Sequence, residues 1–273
     1  MNLEEQYIGF FKSHPLWFNE EFGMKSFDFS GISGIPIPTK ISDLNLNPNE
    51  VLGKRVEHFF RLALQQSINY HLIAYNEQIF DDKITLGELD FIIFDRRDNR
   101  YIHVELVFKF YLYDSSIPEE IDRWIGPNRK DTLPFKLKKL KQKQFPLLYH
   151  TASQAILEKH NIPIENISQE ACYLAHLFLP FSKPKLIPKK VNSKCITGYW
   201  IAINNFKAED FTNFKFHLPL KKHWMVDPKL NKEWSSYTTI LENINLQIEQ
   251  KKSPLLWVRN NGDQFFKLFV VWW

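Results

Sequence analysis

Two cysteines, Cys172 and Cys195, are all that the 273 residues contain. That number excludes a disulfide framework and a four-ligand zinc site. Cys172 falls in the apolar run 171–181 and reads as a small buried hydrophobe. A reducing compartment, the cytoplasm, is therefore expected. The opening Met1-Asn2-Leu3-Glu4-Glu5 carries neither a basic region nor an apolar stretch, so a secretory signal is not expected. Nowhere do apolar residues run uninterrupted for the ~18 positions that a membrane helix needs, which makes a soluble protein the expectation. A fixed-period repeat, a phosphate-cradling loop, zinc-ligand spacing and a nucleophile elbow are absent as well. Net charge is small, +4 from 35 Lys and Arg against 31 Asp and Glu. The total names no partner, and the position of the lysines has to do so.

Apolar material, by contrast, is ample: 44% of residues are hydrophobic and 15% aromatic, with 24 Phe and 8 Trp. This composition supports a folded protein with a sizeable core, built as one large domain or as a core with an appended unit. Asn47-Pro48-Asn49-Glu50 reads as a helix start, with Asn47 as N-cap and Pro48 in the first turn. The apolar face of that helix, running to about Gln66, is Val51, Leu52, Val56, Phe59, Phe60, Ala63 and Leu64. Strands follow at 70–79, 87–95 and 101–112, the last two joined by the charged loop 96–100. A lysine-rich helix is predicted over 133–145, helical structure over 153–160 and a buried strand over 171–181. The lysine- and proline-containing segment 182–194 marks a boundary. Beyond it, short strands are predicted at 198–203, 215–218, 255–258 and 265–273, with a helix at 236–249. The apolar end Phe269–Trp273 is expected to dock, because an exposed patch of that kind invites aggregation. The expected organisation is an N-terminal extension (1–46, with the Gly-, Ser- and Pro-rich run 31–38), a core (47–181) and a C-terminal extension (182–273).

Chemistry concentrates in the middle strands. In 101–112, the period of two puts His103, Glu105, Val107 and Lys109 on one face and only apolar side chains on the other. An acid and a lysine beside a valine in an apolar strand are costly to bury unless paired or metal-bound. In 87–95, Glu88 and Asp90 share a face, and hairpin pairing brings Asp90 and Glu105 to one site. Two carboxylates that share a hard cation suit phosphodiester hydrolysis, since Mg²⁺ keeps several waters and needs only one or two of them.

The pattern Gly87-Glu88-Leu89-Asp90, a hairpin and then Val104-Glu105 resembles the PD-(D/E)XK phosphodiesterase superfamily. The order helix, three strands, helix, strand is similar to that fold. The longer pattern from Leu52-Gly53 to Gln144, with Trp124-Ile125-Gly126-Pro127-Asn128 and Asp131, resembles one bacterial family, the domain of unknown function 1853. Weaker echoes at His223-Trp224 and in 253–273 extend the likeness over most of the chain. The resemblance implies an α/β fold with a mixed central sheet flanked by helices and a C-terminal α+β extension. It implies Asp90 and Glu105 as ligands of Mg²⁺ (or Mn²⁺), Lys109 as catalytic lysine, Glu57 as an auxiliary acid and Gln144 as a supporting glutamine. Two departures stand out: Val107 occupies the usual lysine position, and the proline of the superfamily's name is missing.

Within the helix over 133–145, leucines form an inward stripe, and Lys136, Lys138, Lys139, Lys141 and Lys143 leave the other faces basic. Beside a phosphodiesterase site such a surface tracks a phosphate backbone. The expected function is metal-dependent hydrolysis of nucleic acid, with DNA as the favoured partner and no membrane partner. The alternative is a nucleic-acid-binding or scaffolding module that keeps the fold without catalysis. Hydrolysis of a small phosphate ester is a third reading. Convergence of Asp90 and Glu105 with Lys109 turned away would favour the binding module.

Overall fold

The protein is described by a computed structural model covering residues 2–32, 41, 44 and 46–273. Most of the Gly-, Ser- and Pro-rich run, from residue 33 onward, lies outside the described residues. The chain opens with α1 (Leu3–Phe11), which carries a capping box between Asn2 and Glu5. Three short strands follow: β1 (His14–Pro15), β2 (Glu20–Glu21) and β3 (Met24–Ser26). The first long helix, α2, spans Leu52–Gln66 and buries Leu52, Val56, Phe59, Phe60, Ala63 and Leu64. It starts one turn later than the sequence suggests. Asn47 instead closes a tight turn, its side chain accepting from the Asn49 N–H at 2.9 Å. Val51 becomes an N-cap without a side-chain bond and lies 69% exposed, off the apolar face.

Next come β4 (Tyr70–Asp81), β5 (Ile84–Asp95), β6 (Arg100–Tyr113) and the two-residue β7 (Trp124–Ile125). α3 (Leu133–Lys139) runs through one π-helical turn, Leu140–Gln144, into α4 (Phe145–Leu147). α5 (Gln154–Lys159) leads to β8 (Ile167–Pro180). The last part holds β9 (Ile196–Ala202), β10 (Lys215–His217), α6 (Tyr237–Glu249, capped by Ser236), β11 (Leu255–Arg259) and β12 (Phe265–Val271).

The twelve strands among the described residues join one mixed sheet, whose main path is β10-β11-β12-β9-β8-β6-β5-β4. β4, β5 and β6 form an antiparallel meander, while β6, β8, β9 and β12 run parallel to one another. The sheet crosses both sequence boundaries. β1 and β3 pair with the first part of β8, and β9 continues along its end. One face of the meander packs on α1 and α2 through Phe10, Phe59, Phe60, Phe91, Val104 and Phe110. The other receives Leu133, Leu137 and Leu140 of α3 and its π turn over Val107 and Tyr111. Burying the two adjacent phenylalanines of α2 stabilises the layer by about 1.5–3 kcal/mol each.

The C-terminal residues dock as their apolarity requires. Phe269, Val270 and Val271 are buried. Trp273 Nε1 donates to the Pro127 carbonyl at 3.0 Å, and Arg129 lies 4.3 Å from the centre of its ring. Ser253 also bonds this loop, its N–H to Asn128 Oδ1 and its hydroxyl to the Pro127 carbonyl. The Trp-Ile-Gly-Pro-Asn segment is thus the clasp between the C-terminal part and the meander. Among the described residues, no helix is long and apolar enough to cross a membrane.

Candidate active site

The last regular pair between β5 and β6 is Phe91–Val104, so one step further Asp90 lies across from Glu105. Directly opposed residues of an antiparallel pair point to the same face. Here that is the face covered by α3, as the sequence suggests. The strands part at this point, and the Leu106 N–H, left without a strand partner, donates to Asp90 Oδ2 at 2.8 Å. Gly87, which opens the acidic motif, permits a close approach. A methyl there would come within 2.8 Å of Leu147 Cδ2.

Glu105 is held from both sides. His103 Nε2 is 3.1 Å from its Oε1, and Gln144 Nε2 donates to Oε2. The Gln169 amide donates to His103 Nδ1 at 3.1 Å and to the Phe145 carbonyl at 2.7 Å. With Nδ1 accepting, His103 carries its proton on Nε2 and gives it to Glu105. Burial pushes the His103 pKa down to about 4, against the opposing charge of Asp90, so the ring is neutral. Gln144 in turn accepts from Lys136 Nζ at 2.7 Å.

The π turn explains why Lys136 and Gln144 share a face. Eight residues apart on a regular α-helix, they are offset by about 80°. One residue inserted by the π turn restores near-seven-residue spacing and aligns them. Lys136 is therefore separated from the other lysines of this segment. Lys138, Lys139, Lys141 and Lys143 are exposed, whereas Lys136 is turned inward.

Electrostatics follows from this packing. Burial, then the charge of Glu105, raises the Asp90 pKa to about 7, with Glu57 adding to the shift. Burial raises Glu105 to about 8 and Glu88 adds to it, while Lys136, the Asp90 backbone and Lys139 oppose. Lys136 is lowered by burial and by Lys139 and Lys109, with Glu105 and Asp90 pulling the other way. The cation acting on both carboxylates is thus Lys136. Lys109 lies four residues beyond Glu105, about 13 Å along the strand. There its Nζ meets Asp131 Oδ2 at 2.5 Å.

From the opposite layer, Glu57 of α2 contributes charge to Asp90 but makes its own bonds elsewhere. It accepts from Lys54 Nζ at 2.7 Å and from Asn76 Nδ2 at 3.2 Å. Lys54 also reaches Glu88, at 3.5 Å. Asn76 of β4, beside Asp90 of β5, has a left-handed backbone (φ 53°), and its Oδ1 is buried without a hydrogen-bond partner among the described residues. Such strain in mid-strand is uncommon outside functional sites. No periodicity in the sequence marks Asn76, Lys54 or the inward turn of Lys136.

Among the described residues, no group of three or more His, Cys, Asp or Glu side chains forms a metal-binding cluster. A hard cation that keeps several waters needs fewer. The donor set of Asp90 and Glu105, unsettled by burial and mutual repulsion, with the orphaned Asn76 oxygen nearby, fits such an ion.

No curated protein and no solved structure matches this chain. A family model described as "Domain of unknown function (DUF1853)" matches residues 38–268, most of the chain and every side chain of the candidate site. The chain belongs to that family.

Proposed function

We propose that the protein hydrolyses phosphodiester bonds of nucleic acid, DNA in the first instance, at a site centred on Asp90 and Glu105. The arrangement agrees with a PD-(D/E)XK core of helix, three strands, helix and strand, spanning α2 to β8. The observation that carries the reading is the pair of buried, opposed carboxylates with raised pKa values, faced by an inward lysine. Asp90 and Glu105 would hold Mg²⁺ or Mn²⁺. When bound, the cation supplies Lewis acidity toward a phosphoryl oxygen and a more acidic water.

The remaining work falls to the chain. Gln144 and neutral His103 fix both oxygens of Glu105, so that its free lone pairs point in one direction. The Leu106 N–H does the same for Asp90. Lys136 sits where negative charge develops on the phosphoryl group and stabilises it, taking the role that the resemblance gives to Lys109. Its lowered pKa follows from the burial that also strengthens its field. Glu57 acts through its charge and through Asn76 rather than as a ligand. The exposed Lys138, Lys139, Lys141 and Lys143 supply phosphate contacts along the helix.

The test is cleavage of a DNA and RNA panel with Mg²⁺ or Mn²⁺. Asp90→Asn and Glu105→Gln should each abolish cleavage in a folded protein. Unchanged cleavage in either variant removes that residue from the site. The binding module without catalysis is the second reading, favoured by Val107 in the usual lysine position and by the Lys109–Asp131 pair. Binding of nucleic acid with no cleavage under any metal would select it.

A further inference from the structure

Between Leu106 and Leu112, β6 has a free edge among the described residues, because β5 has diverged and β7 pairs only with Leu112 and Tyr113. Along this edge lies a cleft of about 730 Å³, walled by residues 48–53, 126–131 and 220–224. Its floor is aromatic. The Phe108 and Phe110 rings lie 5.7 Å apart, and Trp224 stands edge-on to Phe110 at 5.3 Å. Phe108 and Trp224 are half-buried and line the cleft, and Lys221 Nζ lies 5.4 Å from the centre of the Trp224 ring. Around the floor stand Lys109, Lys130, Lys136, Lys221 and Lys222. Two acids, Glu50 and Asp131, stand on the same walls against these five lysines. The cleft therefore carries a surplus of positive charge beside aromatic rings, and its lining includes Leu106 and Lys136, the neighbours of the buried carboxylate pair.

We infer that this cleft binds single-stranded nucleic acid, its bases stacked on Phe108 and Trp224 and its phosphates met by Lys130, Lys221 and Lys222. Rings at the bottom of a cleft are accessible to unpaired bases, whose faces are open. Bases within a duplex hide those faces in the stack. An open strand edge also suits an extended peptide, but the lysine surplus selects a polyanion. The inference rests on the proposed function only for what happens at Asp90 and Glu105, since binding in the cleft requires no catalysis.

The experiment is fluorescence anisotropy on the full chain in EDTA, so that no cleavage intervenes. The probes are a labelled oligothymidylate, a hairpin duplex of the same nucleotide count and an oligoglutamate peptide. The oligothymidylate should bind at least tenfold more tightly than the duplex. Trp224→Leu should weaken it by about 5- to 100-fold, the range for one lost stacking contact. Lys130→Glu and Lys221→Glu change exposed side chains and leave the fold intact. Each should lower the salt slope for the oligothymidylate by about 0.7 or more. Equal affinity for duplex, oligoglutamate as the tighter ligand, or an unchanged slope in both lysine variants overturns the inference. Single-strand binding with no cleavage in any metal defeats the proposed function alone. Cleavage of duplex with no single-strand preference defeats this inference alone.

Discussion

The β5–β6 hairpin buries carboxylates at both ends, and the two ends treat them in opposite ways. At the turn end, Asp95 is fully buried, yet Arg97 gives it bonds from Nε at 3.0 Å and Nη2 at 2.9 Å, and its backbone N–H adds a third. Burial raises the Asp95 pKa, but the Arg97 bonds and charge outweigh it and hold the carboxylate below its usual value. Arg97 also bonds Asp28, and Arg100 bonds Glu170 at 2.7 Å, so this cluster ties the N-terminal segment and β8 to the hairpin. At the other end, Asp90 and Glu105 have no arginine. Neutral donors and one half-desolvated lysine leave both pKa values raised. The same residue type in the same hairpin is a completed ion pair in one place and an uncompensated pair in the other. Compensation marks structure, and the uncompensated end is the one at which the proposed function places a cation.

The sharpest way to break this contrast is to neutralise each end in turn. Asp90→Asn should lower metal-dependent cleavage by at least ~10³-fold, on the scale of losing charge stabilisation in a transition state, with stability unchanged or improved. Asp95→Asn should leave chemistry nearly intact and cost about 3 kcal/mol in urea unfolding, because it strands arginines in a partly buried cluster. A stability loss for Asp90→Asn as large as that for Asp95→Asn would abolish the distinction.

A smaller effect separates the two lysines. Lys136→Gln should reduce kcat by about 10²-fold. Lys109→Gln, which breaks only a half-exposed pair with Asp131, should change it by less than about tenfold. The reverse order would return the catalytic role to Lys109.

The pH response sharpens the contrast further. Asp90 and Glu105 have folded pKa values of about 7 and about 8, above their ordinary 3.8 and 4.5. Between these limits the folded state binds more protons than the unfolded chain. Without metal, the stability contributed by this pair is therefore greatest near pH 4 and is lost as pH rises toward 8. The buried His103, whose pKa is lowered, contributes in the opposite sense below about 6.5. The melting temperature of the wild type should fall relative to that of Asp90→Asn by roughly 5–10 °C over that window. At pH 8, Mn²⁺ at 100 times its dissociation constant should restore about 2.7 kcal/mol. A difference between wild type and Asp90→Asn that stays constant from pH 5 to 8 would show that the carboxylates are compensated after all.

The smallest effect belongs to the outer lysines. Replacing Lys138, Lys139, Lys141 and Lys143 with Gln should reduce affinity for all sequences alike, lowering the duplex salt slope by about 0.9 per lost contact. An unaltered slope would mean that this face is only solvated.

Most of the meander is legible in the sequence, because alternation in residues 87–95 and 101–112 fixes which side chains share a face. The placement of Asp90 opposite Glu105 follows directly from the short charged loop between them. Where tertiary packing decides, the sequence is silent. Asn47 has the chemistry of an N-cap but closes a turn ahead of the helix. β1 to β3 are two or three residues long, too short for any period to show. The alignment of Lys136 with Gln144 depends on a π turn that no residue type announces, and so Lys136 reads as one more surface lysine. Lys109 is on the face that alternation assigns, but its partner Asp131 comes from a loop with no pattern of its own.

Gly87 sits where the hairpin passes beneath Leu147, at the far end of the helical run that carries Lys136 and Gln144. A methyl there obliges Leu147 to turn aside or the helix to lift. Position 87 thus acts as a shim between the strand bearing Asp90 and the helix bearing its lysine. A larger group there presses first on the tip of the Leu147 side chain, between the two halves and behind the site, while every group that titrates keeps its identity.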